Sequence, residues 1–132
     1  MKTKKFSTAI IWPLMLMGAV FILSSIPMDG GPDNIAFLTS LDPGIQNLLH
    51  IPLYGTLTFL WFRFFIHSDR PFRQAVIFSL LIAIGYGCLD ELHQSFVPGR
   101  YGGLLDILLN SVGSAAGVFA GLAIYRNHRE WE

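Results

Sequence analysis

Charge is what this chain has least of: Lys, Arg, Asp and Glu together make up 14% of 132 residues, against about a quarter in an ordinary soluble domain. A soluble domain of this length hides only about two-thirds of its unfolded surface. With 52% hydrophobic residues, too few polar side chains remain to cover the outside. Cysteine is nearly missing as well. Cys88 alone excludes an intrachain disulfide and a thiolate metal cluster, and its place in an apolar run predicts a small packed side chain. Nine basic residues balance nine acidic ones, which removes the basic excess expected of a nucleic-acid binder. Internal repeats and low-complexity segments are also lacking.

What is present is apolar length. Mean hydropathy is +0.50. Four stretches, 6–26, 48–66, 74–97 and 104–125, approach the roughly 20 apolar residues that an α-helix needs to cross about 30 Å of hydrocarbon. Each is apolar nearly all round, without the charged stripe of a soluble bundle helix. The expectation is an all-α integral membrane bundle of four transmembrane helices, one domain over 1–132. The first stretch follows MKTKK in the manner of a signal peptide. Its apolar run is long, however, and SSIPMDGG has no A-x-A-like cleavage site, so it is expected to be retained as a span.

The linkers set an orientation. Lys2, Lys4, Lys5, Arg63, Arg70, Arg73, Arg126 and Arg129 fall on one side and Arg100 alone on the other. The positive-inside rule then places both termini in the cytoplasm. The opposite side receives MDGGPDNIAFLTSLDPGIQN and the short turn VPGRYGG, whose Pro and Gly mark connections. Trp12, Trp61, Trp131, Tyr101 and Tyr125 read as interfacial anchors, with Trp61 placed somewhat deeper than the others, and Phe62, Phe64, Phe65 and Phe72 as lipid-facing or interfacial.

Polar residues collect at the extracytoplasmic end, in DELHQSFVPGRYGGLLDILLN. Asp90, His93 and Gln94 share one helical face, as do Asp106 and Asn110. The VPGRYGG turn folds these faces together, and His50 and Tyr54 open the second span at the same end. An acid within a span costs roughly 2.5 to 3.5 kcal/mol at the helix centre and normally faces protein or a water-filled cavity. Several at one place should therefore be linked. Asp90, Glu91 and Asp106 are candidates for general acid–base work, because burial and mutual repulsion drive carboxyl pKa values apart. His50, Tyr54, Gln94, Arg100 and Asn110 are candidate binding residues, with Arg100 suited to a phosphate or carboxylate. Asp90 and Glu91 point about 100° apart on a helix, which leaves open which of them faces the cluster. The acids and histidines are acceptable metal ligands but lack a fixed ligand spacing, so neither metal nor cofactor is expected. Below the cluster Gly113, Gly117 and Gly121 form a track of small residues suited to close helix packing.

The pattern D-E-x-x-Q-x-F-x-P-x-R, then D, three residues, N and a following G, is carried by Asp90, Glu91, Gln94, Phe96, Pro98, Arg100, Asp106, Asn110 and Gly113. With His50 and Tyr54 upstream, it resembles the VanZ-like family of small bacterial membrane proteins. One departure is that members often carry an acidic and a basic residue just before the histidine, where this chain has Gln46, Asn47 and Leu48. The resemblance implies a multi-pass protein of the bacterial cell membrane, and a link to teicoplanin susceptibility through the family's namesake. The expected partners are membrane lipids and a lipid-linked or glycopeptide-type ligand, not nucleic acid. Two other readings stand beside a binding or catalytic site. One is a purely structural hydrogen-bond network between helices. The other is a proton or ion relay, for which the cytoplasmic halves offer only Ser79, Tyr86 and Arg63.

Overall fold

Proline, glycine and serine decide where the helices of the computed structural model begin and end. The structure describes residues 8–28 and 42–129. The expectations for Lys2, Lys4, Lys5, Asp29, Asp33, Trp131 and the Arg129 side chain lie outside the described residues. A turn of 3-10 helix, Thr8–Ile10, leads into α1, Ile11–Ser24. Pro13 lies in its first turn, where a missing N–H breaks no intrahelical bond. At the other end Ser24 Oγ and Ser25 Oγ donate to the carbonyls of Val20 and Phe21, both at 2.7 Å, a local bond that competes with continuing the helix.

Asp42 caps α2, Pro43–Leu48, by accepting from the Gly44 amide at 2.8 Å. Leu49 separates it from α3, His50–His67. After a turn in which Asp69 takes a φ of 56°, Pro71 precedes α4, Phe72–Gln94. This helix stops three residues short of the expected Val97, because Pro98 and Gly99, at φ 74°, form the turn into α5, Leu104–Arg129. Three segments, Gly44–His67, Phe72–Gln94 and Leu104–Arg126, are long and apolar enough to cross a membrane, and Thr8–Ser24 is a shorter apolar helix. Among the described residues there is no strand.

The tightest seam joins α3 to α5. Gly55 of α3 lies against Gly113 and Gly117 of α5, and a Cβ on Gly117 would land on the Gly55 carbonyl. This is the close backbone approach that small residues permit. Beside it Tyr54, Leu57, Trp61 and Ala83 are buried together. Helix α1 is peripheral: Pro13, Val20 and Ser24 are its buried residues, while Trp12, Met15 and Ile22 face outward.

Three side chains depart from expectation. Phe62, expected at lipid, is buried, its ring filling the space left by the missing Cβ of Gly121. Trp61 is also buried instead of anchoring at an interface. Cys88, expected to be packed, is exposed on the outer face of α4.

Candidate functional site

The polar residues meet where the end of α4, the start of α5 and the start of α3 converge, with the end of α1 closing one side. Asp90, Glu91, Gln94, Asp106 and Asn110 are all buried, and Tyr54 is completely so. The structure brings every candidate residue to this end. It also divides them into two groups on adjoining faces of α4, one centred on Asp90 and one on Glu91.

On the α1 side Asp90 is the centre. One carboxylate oxygen accepts from Ser24 Oγ. The other accepts from Gln94 Nε2 at 2.9 Å and Tyr54 OH at 3.3 Å. Asp90 thus accepts from residues of three helices, the Ser24 hydroxyl sharing its one hydrogen between this carboxylate and the Val20 carbonyl. His93, expected among the cluster, instead faces α1. Its Nε2 lies 3.0 Å from Ser25 Oγ, and its ring stacks on Phe21 with centroids 4.9 Å apart.

Arg100 belongs to this same side. Its Nη2 donates to the Leu23 carbonyl at 2.8 Å and its Nε to the Ile26 carbonyl at 3.1 Å, while Nη1 reaches Gln94 Oε1 at 3.4 Å. A guanidinium on the Leu23 carbonyl, in the last turn of α1, and on the Ile26 carbonyl just beyond it caps that helix and opposes the negative end of its dipole. Burial lowers the Arg100 pKa from its ordinary value, while Asp90 and Glu91 draw it back upward. The residue stays charged in either case. The α4–α5 turn is thus strapped to α1, and the Met28 amide donating to the Pro98 carbonyl at 3.1 Å completes the strap.

On the other side Glu91 faces α5. Its Oε2 accepts from the Gly103 amide at 3.2 Å. Gly103 immediately precedes α5, so the carboxylate lies at the positive end of that helix. Glycine is required beside it, because a Cβ on Gly102 would run into the Glu91 carbonyl. Asp106 sits in the first turn of α5, with Oδ2 close to Gly103. His50, the partly exposed member of the group, places Nδ1 2.7 Å from Asn110 Oδ1 and 3.6 Å from Glu91 Oε1. With two oxygens facing it, Nδ1 carries the hydrogen and donates to Asn110.

Not every polar atom is satisfied. Glu91 Oε1, Asn110 Nδ2 and Ser114 Oγ are buried without a hydrogen-bond partner. Gly87 leaves the room for this position, since a Cβ there would meet Asn110 Nδ2 at 2.9 Å and the Tyr54 ring at 3.1 Å. Among the described residues no three His, Cys, Asp or Glu side chains group so as to hold a metal ion.

Sequence reasoning missed Ser24 and Ser25, whose polarity at the end of an apolar run was the available signal. It also missed the Gly103 amide, which no side-chain pattern reveals. Phe96, a residue of the recognised pattern, points outward and is 80% exposed. The VanZ/LLP1 family model matches residues 6–125. The chain belongs to the VanZ-like family. No curated protein and no solved structure gives a significant match. Family membership and the three long apolar helices together make this VanZ-like chain a membrane protein.

Proposed function

We propose that this VanZ-like protein binds the head group of an amphiphilic envelope molecule at the extracytoplasmic face of the bacterial membrane, using the edge formed by His50, Glu91, Asp106 and Asn110. In this reading α1 is the first of four spans and both termini are cytoplasmic, in keeping with the eight basic residues on one side of the helices. The observation that carries the proposal is Glu91 Oε1, a buried carboxylate oxygen with no donor, on a residue 4% exposed. A network built only to join helices satisfies its buried polar atoms almost without exception. Here the shortfall is confined, among the cluster residues, to the Glu91–Asn110 side.

Asp90 and Arg100 suit the structural role instead. Asp90 has three donors, and Arg100 is occupied by the end of α1. If a reaction occurs, Glu91, with its bare Oε1, is the carboxyl group suited to acid–base work. The phenotype in view is glycopeptide susceptibility, with teicoplanin as the test compound.

The experiment compares Glu91→Gln, Asp106→Asn and Asp90→Asn for folded, membrane-inserted protein and for teicoplanin susceptibility in the same cells. Glu91→Gln is expected to fold and lose the phenotype, whereas Asp90→Asn loses folded protein. A Glu91→Gln protein with the full phenotype overturns the binding reading. One that fails to fold assigns the whole cluster to structure.

A further inference from the structure

The position of His50 Nδ1 says what kind of group the edge accepts. Two oxygens converge on this one atom: Asn110 Oδ1 at hydrogen-bonding distance, 2.7 Å, and Glu91 Oε1 beyond it, at 3.6 Å. An imidazole N–H points in one direction and so serves a single acceptor, which here is Asn110. Glu91 Oε1 is left bare. A group with several tetrahedrally arranged N–H donors, sitting a little nearer Glu91 than the imidazole nitrogen does, would serve both oxygens at once.

Charge points the same way. Asp90 and Glu91 are buried next to each other at this end, and the one guanidinium among the described residues that interacts with both, Arg100, gives its hydrogen bonds to the carbonyls of Leu23 and Ile26 and to Gln94. A further positive charge beside Glu91 therefore offsets an excess of carboxylate in a poorly solvated setting. A divalent inorganic ion fits less well. Calcium or magnesium takes six or more oxygen ligands, and no suitable ligand group is assembled among the described residues. A quaternary ammonium has no N–H to give to Oε1.

Resting on the binding reading above, we infer that the ligand presents a primary ammonium group, which displaces the partly exposed His50 imidazole and bridges Glu91 Oε1 and Asn110 Oδ1. His50 is the placeholder: its N–H stands near the ammonium position and swings away when the ligand enters. The ammonium is carried either by a phospholipid head group or by a soluble amine.

The test uses the full chain, purified and delipidated in a neutral detergent, with bound lipid counted by native mass spectrometry. Phosphatidylethanolamine and phosphatidylcholine of identical acyl chains differ at the head group in having or lacking N–H donors. Wild type is expected to retain the ethanolamine lipid about tenfold over the choline lipid, the scale of one charge-assisted hydrogen bond. Glu91→Gln should bring the two to parity. Competition by free ethanolamine at millimolar concentration would support the ammonium and assign recognition to the amine alone; retention despite it would support the lipid as source.

Equal retention of both lipids by wild type overturns the inference and needs no variant to do so. So does a preference that survives Glu91→Gln, or Glu91-dependent stabilisation by magnesium chloride without amine. If wild type shows no preference while teicoplanin susceptibility still depends on Glu91, the ammonium is wrong and the binding site stands. If neither depends on Glu91, both fall together.

Discussion

Gly113 couples the packing of the bundle to the geometry of its polar end, and adding one methyl group tests that coupling. A Cβ at Gly113 would lie 2.9 Å from Ile51 Cα and 3.0 Å from its carbonyl carbon, with the carbonyl oxygen closer still. Carbon atoms in contact prefer about 3.5 to 4.0 Å. These are backbone atoms and cannot rotate away, so α3 and α5 must part by roughly 0.5 to 1 Å at this level. His50 immediately precedes Ile51, and Asn110 lies three residues before Gly113 on the same helical face. Their hydrogen bond, 2.7 Å in the native protein, would stretch to about 3.5 Å, the outer limit of such a bond.

Overpacking costs about 1–3 kcal/mol and the lost bond about 0.5–1.5 kcal/mol, against about 0.5–1 kcal/mol recovered by replacing a mid-helix glycine, so Gly113→Ala should be destabilised by about 1–4 kcal/mol. Thermal unfolding in a mild detergent reads this as a lowered Tm. Gly85→Ala is the matched control, since a Cβ there meets nothing within 4 Å. Replacing that mid-helix glycine should be neutral or stabilising by about 0.5–1 kcal/mol. If the two variants unfold at the same temperature, the seam is not as close as described and the coupling argument fails.

Two further outcomes test the strap and the orientation. Arg100→Lys keeps the charge but replaces a planar fork that reaches Leu23, Ile26 and Gln94 with a single ammonium; α1 should loosen, and a cysteine placed at Val20 in a Cys88→Ser background should react faster with a thiol reagent than in the parent. Unchanged reactivity would show that the guanidinium does not hold α1. In the same background, a cysteine at the exposed Tyr101 should be labelled from outside intact cells by a membrane-impermeant reagent, and one at the exposed Asp69 only after lysis. The reverse pattern would invert the proposed topology and place the polar edge in the cytoplasm.

The sequence alone was enough to establish long helices and a polar end. Apolar runs near 20 residues have few stable forms other than helices once water is scarce, because every backbone N–H and C=O must be paired within the segment. The i, i+3 and i, i+4 spacings of Asp90, Gln94, Asp106 and Asn110 fixed which side chains share a face, and Gly113, Gly117 and Gly121 marked where helices come closest. Tertiary structure decided what periodicity cannot. Asp90 and Glu91 both turn inward, but toward different neighbours, Ser24 and Tyr54 for one and Gly103 and His50 for the other. Arg100 reaches across more than seventy residues of sequence to cap α1, a contact set by how helix ends meet in space. Phe62 is buried because a glycine on another helix leaves room for its ring, while Cys88 lies on a face of α4 left exposed among the described residues. Helical phase ranks the faces of one segment. Which face meets which partner depends on the crossing of segments far apart in the chain, and that crossing is fixed by where the backbones can approach.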